Sequence, residues 1–146
     1  MLTALIKRSG CDVSVAVGMD SKQNEVWVKD VREAENVITS QWREITDEEK
    51  HQVREQVDKI LRPLGCKTSL LVIERDNSIA LIFLCLTLSA LTSLRHQWRT
   101  RQLRDIVQEL FTFLSGRTDT VWVNRLIWPL SDYERCLEFF HSIQGK

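Results

Sequence analysis

Apolar and polar positions change period several times along this chain, and each change marks an element. From Cys11, the residues Val13, Val15 and Val17 alternate with polar or small neighbours, the period-two pattern of a strand with one buried face. Glu25 to Val31 repeats the alternation. The polar, glycine-containing segment GMDSKQN between them allows a hairpin, although the second run could equally open a loop. Thr46-Asp-Glu-Glu49 sets a hydroxyl and a carboxylate at capping-box spacing, so a helix over 47–62 is expected to start there. Val53, Val57, Ile60 and Leu61 give it one apolar face, and Pro63 with Gly65 ends it.

The central feature is a predicted hairpin, Leu70 to Ile73 and Ile79 to Leu86, joined through Arg75-Asp-Asn-Ser78. A two-residue turn at Asp76 and Asn77 would set Glu74 opposite Ile79, Val72 opposite Leu81 and Leu70 opposite Phe83. Leu71, Ile73, Ala80 and Ile82 would then take the other side. Leu88, Leu91, Leu94 and Trp98 form one helical stripe, and Leu103, Ile106, Val107, Leu110, Phe111 and Leu114 a second. Residues 88–114 are therefore one or two helices, closed by Ser115-Gly116. Val121 to Trp128 reads as a strand stopped by Pro129. Ser131-Asp-Tyr-Glu134 caps a last helix over 131–143 with Cys136, Leu137, Phe140 and Ile143 inward. The expectation is an α+β fold, an antiparallel sheet with helices packed on it in a two-layer α-β sandwich. Residues 1–45 supply N-terminal strands or an irregular segment of the same domain, and 46–146 its helix, hairpin, helices, strand and helix core.

Composition narrows the picture. With 146 residues, 43% of them apolar, the chain can bury one core but not two comfortable ones. Twenty Lys and Arg balance twenty Asp and Glu, so net charge gives no case for nucleic acid or an anionic membrane as partner. The longest apolar stretch, Ile79 to Leu91, falls well short of the roughly 20 residues that cross a bilayer and reads as core. Met-Leu-Thr-Ala-Leu-Ile before Lys7 and Arg8 lacks the features of a secretory leader. Four dispersed cysteines, of which Cys66 and Cys85 lie in or beside apolar runs, are expected as free thiols in a reducing cytoplasm. Their even number leaves two disulfides in an oxidising compartment as the alternative.

No catalytic spacing is present. The five glycines, at 10, 18, 65, 116 and 145, build no phosphate-cradling loop. His51, His96 and His141 occur without an HExxH or CxxC, so no metal is expected. Cys136 and His141, five apart on one predicted helix, point to different faces and make no nucleophile pair. The chain therefore reads as a non-enzyme without a cofactor. Arg95, Arg99, Arg101 and Arg104 surround Trp98, a combination able to hold phosphate or stack on bases; in a neutral chain it reads first as the solvated face of a helix pair. Trp42, in the polar context Ser-Gln-Trp-Arg-Glu, is either a surface anchor or a packing lid.

Three segments, LLVIERDNSIALIFLCL, LTSLRHQWRTRQLRDIVQELF and VWVNRLIWPLSDYERCLEF, together carry a resemblance over about residues 46–143 to the N-terminal domain of the TRADD family of death-domain adaptors. Members often have a glycine near the position of Arg101. Its absence here leaves open whether the two middle helices break sharply or run on as one bent helix. The resemblance implies helices on an antiparallel sheet, no catalytic activity, and a cytoplasmic adaptor role in innate-immune or cell-death signalling. It also implies docking of another signalling protein, TRAF-like in that family, on an open sheet face. The matching positions are Val72, Glu74, Ile79 and Leu81, with Trp42 as a further candidate anchor. The alternatives are a self-associating module that oligomerises a larger receptor, and a face covered by residues 1–45.

Overall fold

The alternation that begins at Cys11 does form a strand, and it becomes one of the two inner members of a four-stranded sheet. The structure, a computed structural model, describes residues 10–21, 27–48, 51–75, 79–115 and 121–144. In chain order the elements are β1 (Cys11–Ser21), α1 (Trp27–Glu48), α2 (His51–Leu61) and a single 3-10 turn (Arg62–Leu64). They continue with β2 (Thr68–Arg75), β3 (Ile79–Cys85), α3 (Leu88–Arg99), α4 (Gln102–Ser115), β4 (Val121–Ile127) and α5 (Leu130–Gln144). The sheet is antiparallel in the order β2-β3-β1-β4. This is the split β-α-β topology of ferredoxin-like folds, in which two right-handed crossovers lay their helices on one side of the sheet.

Burial follows from that layering. Cys11, Val13, Val15, Val17 and Met19 of β1 face the helices, with Leu70 and Ile73 of β2, Ile79, Leu81, Phe83 and Cys85 of β3, and Val123 of β4. The opposing layer contributes Ala34, Ile38, Trp42 and Ile45 from α1, Leu91 and Leu94 from α3, Leu103, Ile106, Val107, Leu110, Phe111 and Leu114 from α4, and Cys136 and Phe140 from α5, all in one cluster. Each fully buried aliphatic side chain contributes about 1.5–3 kcal/mol. The expected α+β sandwich is therefore the observed fold, and the helix starting near Thr87, whose hydroxyl accepts from Ala90 N at 3.0 Å, is capped as its sequence allows.

The N-terminal half departs from expectation. Residues 27–31, expected within a second strand, are the start of α1, and α1 runs 22 residues through Thr46; Glu25 and Val26 lie outside the described residues. The hydroxyl-carboxylate spacing at Thr46 therefore opens no helix, and α2 starts at His51 instead of 47. Packing decides this: Ala34, Ile38, Trp42 and Ile45 recur at helical spacing and bury against β1 and β2. Residues 88–114 form two helices, with Arg101 in the left-handed region at φ 70 between them. Four free thiols are also corrected. Cys11 and Cys136 are joined by a disulfide with Cα atoms 6.0 Å apart, tying β1 to α5, while Cys66 and Cys85 are free. Both partners occupy inward positions of elements that pack together, a proximity hidden by 125 residues of separation.

Candidate functional site: the open face of the sheet

The sheet face away from the helices is shaped by an irregularity in β2. Arg75 pairs with Ile79, Glu74 with Ala80, Ile73 with Leu81 and Val72 with Ile82; then the register shifts, and Leu70 pairs with Phe83. Leu71 is the extra residue of a bulge. Near the turn the pairing is therefore one residue away from the sequence-based register, and the bulge restores it. Residues 76–78, which hold the expected Asp76-Asn77 turn, lie outside the described residues.

This shift redistributes the expected binding residues. Ile79 and Leu81 are 0% exposed and belong to the core, so they cannot meet a partner. Trp42 is 7% exposed; its indole Nε1 donates to the Leu71 carbonyl at 3.4 Å, which makes it a lid over the edge of β2 and not a surface anchor. Val72, 40% exposed, and Glu74 do reach the surface, because the bulge moves them onto the face carrying Ala80 and Ile82. The prediction that Leu70, Val72, Glu74, Ile79, Leu81 and Phe83 share the open face is thus wrong for four of the six. The missed members are Ile82 and Leu84 of β3 and Ile127 of β4. Because β3 is aliphatic on both faces, its pattern alone gives no signal for choosing between them.

Cross-strand rows give the face its chemistry. Ser69, Leu84 and Asp12 form one row, Val72, Ile82 and Ser14 the next, and Glu74, Ala80, Ala16 and Ile127 a third. Beyond it Gly18 opposes Arg125. Val72, Ile82 and Leu84 thus form an aliphatic cluster across the β2–β3 boundary, and Ala80 and Ala16 link it along the third row to Ile127 on β4, with Asp12, Ser14, Glu74 and Arg125 as the polar members of the face. At the β2 side the face continues into a groove of about 640 Å³ between α1 and β2, walled by Asn36, Thr39 and Ser40 and by Leu71 to Arg75. Arg75 Nε meets the buried Glu35 carboxylate there at 3.3 Å.

Both sheet edges are engaged by side chains. On β4, Val123 N donates to Gln108 Oε1 at 2.6 Å, and Leu126 O accepts from Trp98 Nε1 at 2.8 Å. On β2, Leu71 O is taken by Trp42. Such contacts occupy part of each edge and hinder the addition of a foreign strand at those positions. The perturbed titrations lie elsewhere: burial pushes the Cys85 thiol up to about 11, and Arg95 is lowered by its burial, against the opposing influence of Tyr133. Among the described residues no three His, Cys, Asp or Glu side chains converge, and no helix is long and apolar enough to cross a membrane. No family model matches this chain, and no curated protein matches it.

Proposed function

We propose that this chain is a non-enzymatic docking module that binds another protein on the open face of its sheet. The observation that carries the reading is the aliphatic cluster of Val72, Ile82 and Leu84, joined through Ala80 and Ala16 to Ile127 and interspersed with polar residues, the composition of a protein interface. Four strands at their usual spacing present roughly 400 Å², about half of what a standard interface takes from each partner, and the α1–β2 groove continues that surface through Val72 and Glu74. Single-stranded RNA, which sheets of related topology bind by stacking bases on central-strand aromatics, fits poorly. The described open-face side chains of β1 and β3 are Asp12, Ser14, Ala16, Ala80, Ile82 and Leu84, with Gly18 beyond them, none of them a ring. That the partner is a signalling protein in a cytoplasmic immune or cell-death pathway rests on the family resemblance alone.

The test is Ile82→Arg, supported by Ile127→Arg. Each should keep the fold and abolish capture of the cellular partner by the wild-type chain, with solution mass measured alongside. A partner held equally by both variants refutes the reading. A wild-type dimer that the same substitutions make monomeric replaces it with self-association.

A further inference from the structure

A different surface carries an independent assignment. Where α3 gives way to α4, a pocket of about 360 Å³ opens toward β4, lined by Trp98, Arg99, Arg101, Arg104, Asn124, Arg125 and Leu126. Four of its seven lining residues are arginines and none is acidic, in a chain whose total charge is balanced. Arg99, Arg101 and Arg125 have no ion-pair partner among the described residues. A fifth arginine stands behind them: Arg95 lies 4.1 Å over the Trp98 ring and donates through Nη1 to the Trp128 carbonyl at 2.7 Å.

The like charges are held together by structure. The Trp98 indole is tied to β4 through Leu126 O at 2.8 Å, which fixes the pocket's back wall. Arg101 holds the left-handed conformation, φ 70, that breaks the two helices and brings Arg101 and Arg104 to one opening, at the positive end of α4. Gly18 lets the stem of Arg125 lie against β1; a Cβ there would meet Arg125 Cγ at 3.2 Å. Arg104 spends Nη1 on Asp105 at 3.1 Å, yet its Nε is buried with no hydrogen-bond acceptor.

From this geometry we infer that the pocket binds a phosphate monoester, its oxyanion among Arg99, Arg101, Arg104 and Arg125 and its organic group against Trp98 and Leu126. The shared chemistry is the phosphate; the apolar wall is what distinguishes a nucleotide from the bare ion. The site shares Arg125 with the edge of the docking face, but it stands whether or not that face binds a protein.

The experiment is calorimetric titration of the whole chain with inorganic phosphate, adenosine monophosphate and adenosine. Binding of the monophosphate and of phosphate, but not of adenosine, is expected, and it should weaken as salt rises. Monophosphate binding tighter than phosphate assigns the apolar wall to a base, and equal affinities assign the site to the oxyanion alone. Arg104→Gln and Arg125→Gln should each lower affinity about tenfold or more, the worth of a charge-assisted hydrogen bond, while Arg135→Gln on α5, an equal loss of charge elsewhere, should not. Arg125 is exposed, so its variant tests the site even if Arg104→Gln fails to fold. No binding of either phosphate compound, or equal losses in all three variants, overturns the assignment.

Discussion

Leu81 and Ile82 are adjacent aliphatic residues on β3, and the face assignment predicts opposite consequences for them. Leu81 is fully buried, paired across the sheet with Val15 on one side and Ile73 on the other, while Ile82 is half-buried beside Val72 and Ser14. Truncating a core leucine to alanine removes its transfer free energy and leaves a cavity, together about 2–5 kcal/mol. Truncating Ile82 removes methyls already partly in water, for about 1 kcal/mol. With roughly 2.1 cal/mol/K of unfolding entropy per residue over 146 residues, each kcal/mol moves the midpoint by about 3 °C. Leu81→Ala should therefore lower Tm by about 7–16 °C and Ile82→Ala by about 3 °C. Far-ultraviolet circular dichroism on heating reads both, and a urea midpoint falling at unchanged slope confirms that stability is what moved. Equal losses, or a larger one for Ile82→Ala, would mean that the helices pack on the other side of the sheet.

Three further outcomes are specific. Arg101→Gly should raise stability by about 1 kcal/mol, since glycine takes a φ of 70 without the Cβ penalty, whereas Arg101→Ala should not; equal Tm values for the two would show that the backbone stores no such cost. Replacing Cys11 or Cys136 by serine removes a link across 125 residues, worth up to about 5 kcal/mol by loop entropy, and two thiols in the unfolded wild-type chain would confirm the pairing where four would refute it. Because burial raises the Cys85 thiol from 9.0 to about 11, folding favours its neutral form: this contribution is complete below pH 9.0 and lost as pH rises toward about 11. Urea midpoints across that window should decline less steeply in Cys85→Ala, and parallel declines would exclude the thiol as their cause.

Legibility in the sequence tracked how much of each element's pattern is local. The hairpin, the last helix and the α4 stripe combine strong periodicity with turn or cap residues, and they form where expected. α1 was hidden by a competing local signal. Val26, Val28 and the hydroxyl-carboxylate pair at Thr46 suggest a strand and then a helix start, and only the longer spacing Ala34, Ile38, Trp42, Ile45 reveals one continuous helix. The pairing of Cys11 with Cys136 depends on tertiary proximity and leaves no mark on spacing. The binding face was misread for a related reason: no residue type announces the bulge at Leu71, and one extra residue moves every side chain between it and the turn to the other face.

Two of the places where local rules fail, the bulge at Leu71 and the left-handed Arg101, are also where the two candidate surfaces lie. An unbulged β2 would send Val72 and Glu74 inward beside Ile79 and Leu81, burying a carboxylate in the core and forcing Ile73 into water. The bulge avoids both and offers its carbonyl to Trp42, so the same irregularity builds the open face and closes its edge. Arg101 is different, because no core demand explains it: the residue is exposed, and a glycine would make the same break at lower cost. What arginine adds there is a charge at the mouth of a pocket already lined by Arg99, Arg104 and Arg125. A residue that strains the backbone and raises local repulsion, with no gain in packing, is accounted for by a ligand that carries the opposite charge.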